Sequence, residues 1–250
     1  MRAVAKFGAA CILLALGAGA ASAADLIILT NQGATPGVRE LANAFTAKGK
    51  HKVTVIQAED AELQRRLTEG TADLITGNPG PIGELVMSGK VVGNTVTPFV
   101  MAGLGVSVPA GAPKPDISTV EKYKAALLAA KSIGYSRGCS GTNAGRGIAE
   151  LGLTEQLKAK TTFTTTGPVT DYLARREFEI GIQQTNIMVG VPGTDYVGPV
   201  PGSLNKPCQS NVGVLTASKN QDAARELIRF MVSPEAAPLL RKTHVEPYKQ

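Results

Sequence analysis

The chain has 250 residues, a formal charge of +6, 43% apolar and 4% aromatic residues, and no tryptophan. That length holds one large domain or two small lobes. Its scattered lysines and arginines and sparse aromatics exclude a stacking platform for nucleic acid and fit a small anion better than a polyanion.

The chain opens with Arg2 and Lys6, the uncharged run "FGAACILLALGAGA" and "ASA" at 21–23. This is the pattern of a cleaved secretory signal over residues 1–23. The apolar run is too short to span a bilayer, which takes about 20 residues. Removing it lowers the formal charge from +6 to +4 and leaves two cysteines, Cys139 and Cys208. In an exported chain these either pair or stay as separate buried thiols, and both readings stay open.

From Asp25 the chain alternates. "DLIIL" reads as a strand, and Val38, Leu41, Ala42 and Phe45 then share one helical face. "KVTVIQ" at 52–57 is a second strand, Leu63 and Leu67 lie on a helix ended by "EG", and "ADLIT" at 72–76 is a third strand. "GNPGPIGELVMSG" is a turn into a short helix whose prolines sit near its start. Such β-α alternation predicts a mostly parallel sheet covered by helices.

"TPFVMAGLGVSV" reads as one long strand, and "PAGAPKPD" as a proline-rich connection. Ser118 and Glu121 have capping-box spacing and predict a helix to about Ala130. A second alternating unit follows: strand "SIGY", loop "SRGCSGTNAGRG" with a helix start at about Asn143, strand "TTFTTT", a helix after Pro168, and strand "FEIGIQQ". "TDYVGPVP" and "NVGVLTA" are late strands. Asn220 is placed to cap one helix and Ser233 the last, with Pro234 as its first residue. The closing elements have no sheet of their own, so two α/β lobes joined by two crossing strands, near 99–108 and 205–216, are expected.

Four strand-to-helix turns are rich in glycine and polar groups: "NQGATPG" (31–37), "GNPGP" (77–81), "SRGCSGTNAG" (136–145) and "TTTGP" (164–168). A helix start offers unpaired N–H groups and partial positive charge to an anion. Any one such turn reads first as ordinary loop punctuation, while four together, and "SRGCSGTNAGRG" above all, read as anion-receiving helix starts. The sharper motifs are absent: no Walker loop, no dinucleotide fingerprint and no nucleophile elbow. His51 and His244 are the only histidines and have no metal-like spacing, so no metal and no cofactor is expected. Cys139 beside Arg137 at a helix start also admits a reactive thiol.

The order of "LIILTNQGATPGVRELANAF", "RRLTEGTADLITG", "GELVMSGKV" and "ARELIRFMVSPEAAPLLRK" resembles the periplasmic solute-binding proteins of ABC importers, in particular the molybdate-binding-protein-like group. The resemblance implies a type II two-lobe periplasmic-binding-protein fold. Residues 24–103 and 209–250 would form one lobe, residues 104–208 the other, with two hinge strands. It implies periplasmic location, a monomer that closes on a small anionic ligand, an inner-membrane ABC permease as partner, and no nucleic acid. The ligand-binding candidates are Asn31, Gly33, Thr35, Asn78, Arg137, Ser140, Gly141, Thr142 and Gln183. "AEDAE" at the second loop places Glu59 and Asp60 where molybdate binders have small residues, and "GIQQTN" at 181–186 replaces their tyrosine-bearing stretch. "VPGTDYVGPVPGSLN" is similar to a branch that includes an exported aconitate isomerase. That branch implies an alternative: an isomerase of an unsaturated tricarboxylate, with Glu59, Asp60, Tyr135 or Cys139 as its base.

Overall fold

The computed structural model describes residues 23–249. The signal segment, Ala23 apart, and Cys11 within it lie outside the described residues. Strand β1 (Asp25–Thr30) is followed by α1 (Thr35–Ala47), β2 (Lys52–Gln57), α2 (Asp60–Glu69), β3 (Leu74–Gly77), α3 (Pro79–Met87) and β4 (Thr97–Ala102). Then come β5 (Leu104–Pro109), α4 (Val120–Ala129), β6 (Ile133–Tyr135), α5 (Cys139–Glu150), α6 (Thr154–Leu157), β7 (Thr161–Phe163), α7 (Val169–Ala174), β8 (Ile180–Gln184), α8 (Thr185–Met188) and β9 (Thr194–Pro199). The chain ends with β10 (Cys208–Val214), α9 (Gln221–Met231), α10 (Ala236–Lys242) and β11 (Glu246–Pro247).

Two sheets result, with strand orders β11-β4-β10-β3-β1-β2 and β7-β6-β8-β5-β9. β1 runs parallel to β2 and β3, and β6 runs parallel to β7 and β8. β10 is antiparallel to β3 and β4, and β5 to β8 and β9. Each sheet carries helices on both faces, which explains why its central strands read as unbroken apolar runs. In β1, Leu26 and Ile28 point to the core under α1, α9 and α10, while Ile27 and Leu29 point to the core under α2 and α3. In the second lobe, Leu127, Ile133 and Ile148 build one core, and Val169, Leu173, Phe178 and Met188 build the other.

The expected long strand at 97–108 is two strands. It breaks at Gly103, with β4 in the first sheet and β5 in the second. A Cβ at Gly103 would lie 3.1 Å from the Asn205 side chain, so only glycine fits there without displacing it. The return crossing is the non-strand segment 200–207, since β10 lies wholly in the first sheet. Asn205 ties the two crossings together: its Oδ1 accepts from Leu104 N at 2.7 Å.

Helix starts differ by a few residues from the capping patterns. Thr119, not Ser118, caps α4, its Oγ1 accepting from Lys122 N at 3.2 Å. The last helix starts at Ala236 with Glu235 at the cap position. The Ser233 hydroxyl is buried without a partner. Asn220 holds the cap position of α9, yet its amide donates to Asp73 Oδ1 at 3.2 Å. The buried Asp73 carboxylate competes for it and also accepts from Ile27 N and Ser218 Oγ. Most relevant to function, α5 starts at Cys139, four residues before the expected start at Asn143.

Candidate functional site

The carboxyl ends of the parallel strands face one another across the two lobes, the position where open α/β sheets present ligand loops. They enclose a cleft of about 490 Å³. The turns after β1, β2 and β3 form one wall, and those after β6, β7 and β8 form the other.

The first wall is rich in acceptors. Glu59 and Asp60 line it, with Asn31, Gln32, Gly33, Thr76 and Asn78. Glu59 Oε1 accepts from Gln32 N at 2.7 Å, while the Asp60 carboxylate has no hydrogen bond or ion pair. Asp60 adopts φ of 50°, a left-handed conformation that aspartate tolerates better than most residues. Two of the three helix starts on this side have few free donors, while α2 makes its first bond from Leu63 N to Glu59 O and leaves the N–H groups of Asp60, Ala61 and Glu62 without a helical acceptor. Ala34 N and Thr35 N both turn back to Asn31 O, and Pro36 has no N–H. In α3, Pro79 and Pro81 leave Gly80 as the single N–H donor of the first three residues.

The second wall carries the opposite character. Ser136, Arg137, Gly138, Cys139 and Ser140 line it, with Thr164, Thr165, Thr166 and Gly167, and none is acidic. Arg137 is exposed, the cleft's single cation among the described residues, and is free of any ion pair or hydrogen bond. The first intrahelical bond of α5 is Thr142 N to Gly138 O, so the N–H groups of Cys139, Ser140 and Gly141 have no helical acceptor. Ser140 Oγ and Ser136 Oγ share a buried hydrogen bond of 2.6 Å.

Across the floor, Gln183 is a strut. Its Oε1 accepts from Val169 N and its Nε2 donates to Gln32 Oε1, each at 2.8 Å. Asn186 Nδ2 donates to Gly33 O at 2.9 Å. Gly33 also packs against Gln184: a Cβ there would lie 2.4 Å from Gln184 Oε1, so a larger residue would require the glutamine amide to shift.

Of the nine candidates, Asn31, Gly33, Asn78, Arg137, Ser140 and Gln183 line the cleft, and Thr35, Gly141 and Thr142 do not. Thr35 is buried and donates to Asn31 O. A Cβ on Gly141 would sit 1.8 Å from Ser136 O, so this glycine allows β6 to approach α5. Thr142 is exposed and donates to Gly138 O. Gln32, Gln184 and the 164–167 turn were missed as individual residues. The glycine-rich pattern of that turn was visible, while the glutamines carry no local signal.

Cys139 forms a disulfide with Cys208, so it offers no thiol. Tyr135 is buried below the cleft wall, and burial pushes its phenol up to about 12, away from a base at neutral pH. Tyr172 behaves oppositely. Its oxygen bonds the Thr165 hydroxyl at 2.9 Å and accepts from Thr165 N and Thr166 N at 3.1 and 3.2 Å. The Thr165 hydroxyl first, then these N–H groups, lower it to about 8 from the usual 10. The folded value is depressed. Its contribution to stability is therefore present above about pH 10 and lost as pH falls through about 8. A spectrophotometric titration is expected to show one phenolate forming near pH 8, and Tyr172→Phe is expected to remove that step. An unchanged titration curve for the variant would assign the step to another tyrosine.

Comparison with known proteins places this architecture. The sequence profile of a family described as bacterial extracellular solute-binding protein matches residues 26–246. An aconitate isomerase from Pseudomonas sp is 28% identical over 229 residues, covering 89% of this chain and 87% of that one. The periplasmic molybdate-binding protein of Azotobacter vinelandii superposes with a TM-score of 0.73 at 15% identity, over 90% of this chain and all of that chain. The sulfate-binding protein of Mycobacterium tuberculosis does so with a TM-score of 0.69 at 18% identity, over 90% and 88%. The fold is thus the two-lobe, type II periplasmic-binding-protein fold, and the chain belongs to the family of bacterial extracellular solute-binding proteins.

Proposed function

We propose that this protein is exported to the periplasm, captures a small organic carboxylate between its lobes, and hands it to an inner-membrane ABC permease. The observation that carries this reading is Arg137. It is an unpaired guanidinium beside the free N–H groups of α5, on a wall without a carboxylate. A planar guanidinium suits the two oxygens of a carboxylate. The cleft volume falls in the range of about 300–1,000 Å³ typical for small organic ligands. A bare tetrahedral oxyanion such as molybdate or sulfate would need donors all round. The first wall presents the carboxylates of Glu59 and Asp60 instead, and proline removes donors from the starts of α1 and α3.

A second reading is isomerisation of an unsaturated tricarboxylate, favoured by the similarity to aconitate isomerase along most of the chain. Among the bases considered, Cys139 is oxidised, Tyr135 is buried, and Glu59 already accepts from Gln32 N. Asp60 remains, free and at the cleft. One experiment separates the two. The purified protein is screened for thermal stabilisation by oxyanions and by di- and tricarboxylates, and the best ligand is then recovered from deuterium oxide. A ligand at a hundredfold excess over Kd stabilises by about 2.7 kcal/mol. Unchanged, undeuterated carboxylate is expected. Isomerised or deuterated product establishes the enzyme, and stabilisation by molybdate or sulfate alone rejects the carboxylate reading.

A further inference from the structure

The walls of the cleft are opposite in polarity, and one end of the ligand is unaccounted for. A carboxylate at Arg137 satisfies the second wall. The first wall then faces the rest of the ligand with acceptors. The side-chain oxygens of Asn31 and Asn78 are buried there without a partner. Leaving a buried acceptor unpaired is costly, so such a group points to a donor that arrives with the ligand.

Asn78 caps no helical N–H. It occupies the cap position of α3, where an asparagine ordinarily accepts from the second or third helical N–H. Pro81 at the third position has no N–H, Gly80 at the second keeps one, and no side-chain capping bond forms to it. The amide therefore serves no role in holding the helix, and it lines the same cleft as the free Asp60 carboxylate.

We propose that the cleft selects a hydroxycarboxylate, with its carboxylate against Arg137 and the start of α5 and its hydroxyl against the amides of Asn31 and Asn78. The inference rests on the carboxylate reading above and extends it to the ligand's other end. A hydroxyl fits better than an ammonium, because the buried acceptors are neutral amides. Burying an ammonium against them would leave its charge without a buried partner. The one free carboxylate on that wall, Asp60, stays exposed.

The test uses matched ligands on the mature protein by titration calorimetry: malate against succinate, citrate against propane-1,2,3-tricarboxylate, and aspartate as the ammonium counterpart. A site that bonds a hydroxyl rejects the analogue lacking it. At least one hydroxy compound is expected to bind about tenfold or more tightly than its deoxy partner and than the ammonium compound. Asn78→Ala removes no hydrogen bond of the fold, so the variant is expected to stay folded. It should abolish that preference by weakening the hydroxy compound far more than the deoxy compound. Equal affinity within each pair, tighter aspartate binding, or equal weakening of both partners by Asn78→Ala overturns the proposal. In each of those outcomes the binding of the deoxy carboxylates still reports on the carboxylate reading. If none of the carboxylates binds, both fall.

Discussion

Replacing Cys139 and Cys208 together by alanine is expected to lower the unfolding free energy by about 4 kcal/mol. The bond closes a loop across a sequence separation of 69, and the figure is what the chain-entropy treatment gives for that length. For a chain of this size it corresponds to a melting temperature lower by about 10 °C. The position of the bond adds a second effect. Cys139 is the first residue of α5, at the cleft in the second lobe, and Cys208 is the first residue of β10, in the first lobe's sheet. The bond therefore spans the return crossing. Asn143 reinforces it by donating to Lys206 O at 3.0 Å. Without the bond the lobes are expected to open further, so ligand affinity should fall along with stability. Urea titrations of the double variant and of the oxidised protein measure the first effect, and calorimetry measures the second. Equal midpoints would show that the bond closes nothing the fold does not already hold. Thiol counting on denatured, unreduced protein lacking residues 1–23 is expected to find no free thiol.

The parts of the fold legible in the sequence are those set by local period. The centre of β1, Leu26 to Leu29, is unbroken apolar sequence because both faces are covered, and α1 repeats Val38, Leu41, Ala42 and Phe45 because one face is. The element order, and hence the two sheets, followed from such segments. Boundaries were less legible, because competing partners lie far away in sequence. Thr119 rather than Ser118 caps α4 by a one-residue shift that no pattern distinguishes. The break at Gly103 depends on Asn205, about a hundred residues later. The site was half legible for the same reason. Glycine-rich turns mark where backbone comes close to something, and a sequence does not say to what. At Gly33 the neighbour is Gln184, and at Gly141 it is the Ser136 carbonyl. Arg137 was legible because a cation at a helix start has few structural uses. Gln183 lines the cleft, and its second role, a strut between the lobes, carries no signal in the sequence.

Arg137→Ala is expected to weaken carboxylate binding by about tenfold to a hundredfold. Arg137 makes no bond within the protein, so its removal leaves the fold intact and the loss should appear in affinity alone. The melting temperature of the ligand-free variant is expected to match that of the parent. Arg137→Lys keeps the charge and loses the planar fork, so its affinity should fall between the two. Ser140→Ala should cost less than either. The Ser140 hydroxyl is neutral and already shares a 2.6 Å bond with Ser136, while the backbone N–H groups of α5 stay in place. The ordering separates the ligand classes. A dehydrated tetrahedral oxyanion can be held by neutral donors, and Ser140 would then matter as much as Arg137. A carboxylate makes Arg137 dominant. Because the guanidinium is exposed, its contribution should also shrink as salt rises from about 0.01 to 1 M, where screening shortens from about 30 to 3 Å. Calorimetry on the three variants at two salt concentrations reads all of this. If neither Arg137→Ala nor Ser140→Ala shifts Kd by more than about twofold, the turn at 136–138 and the start of α5 are an ordinary strand-to-helix connection. The ligand's charge must then be met elsewhere in the cleft.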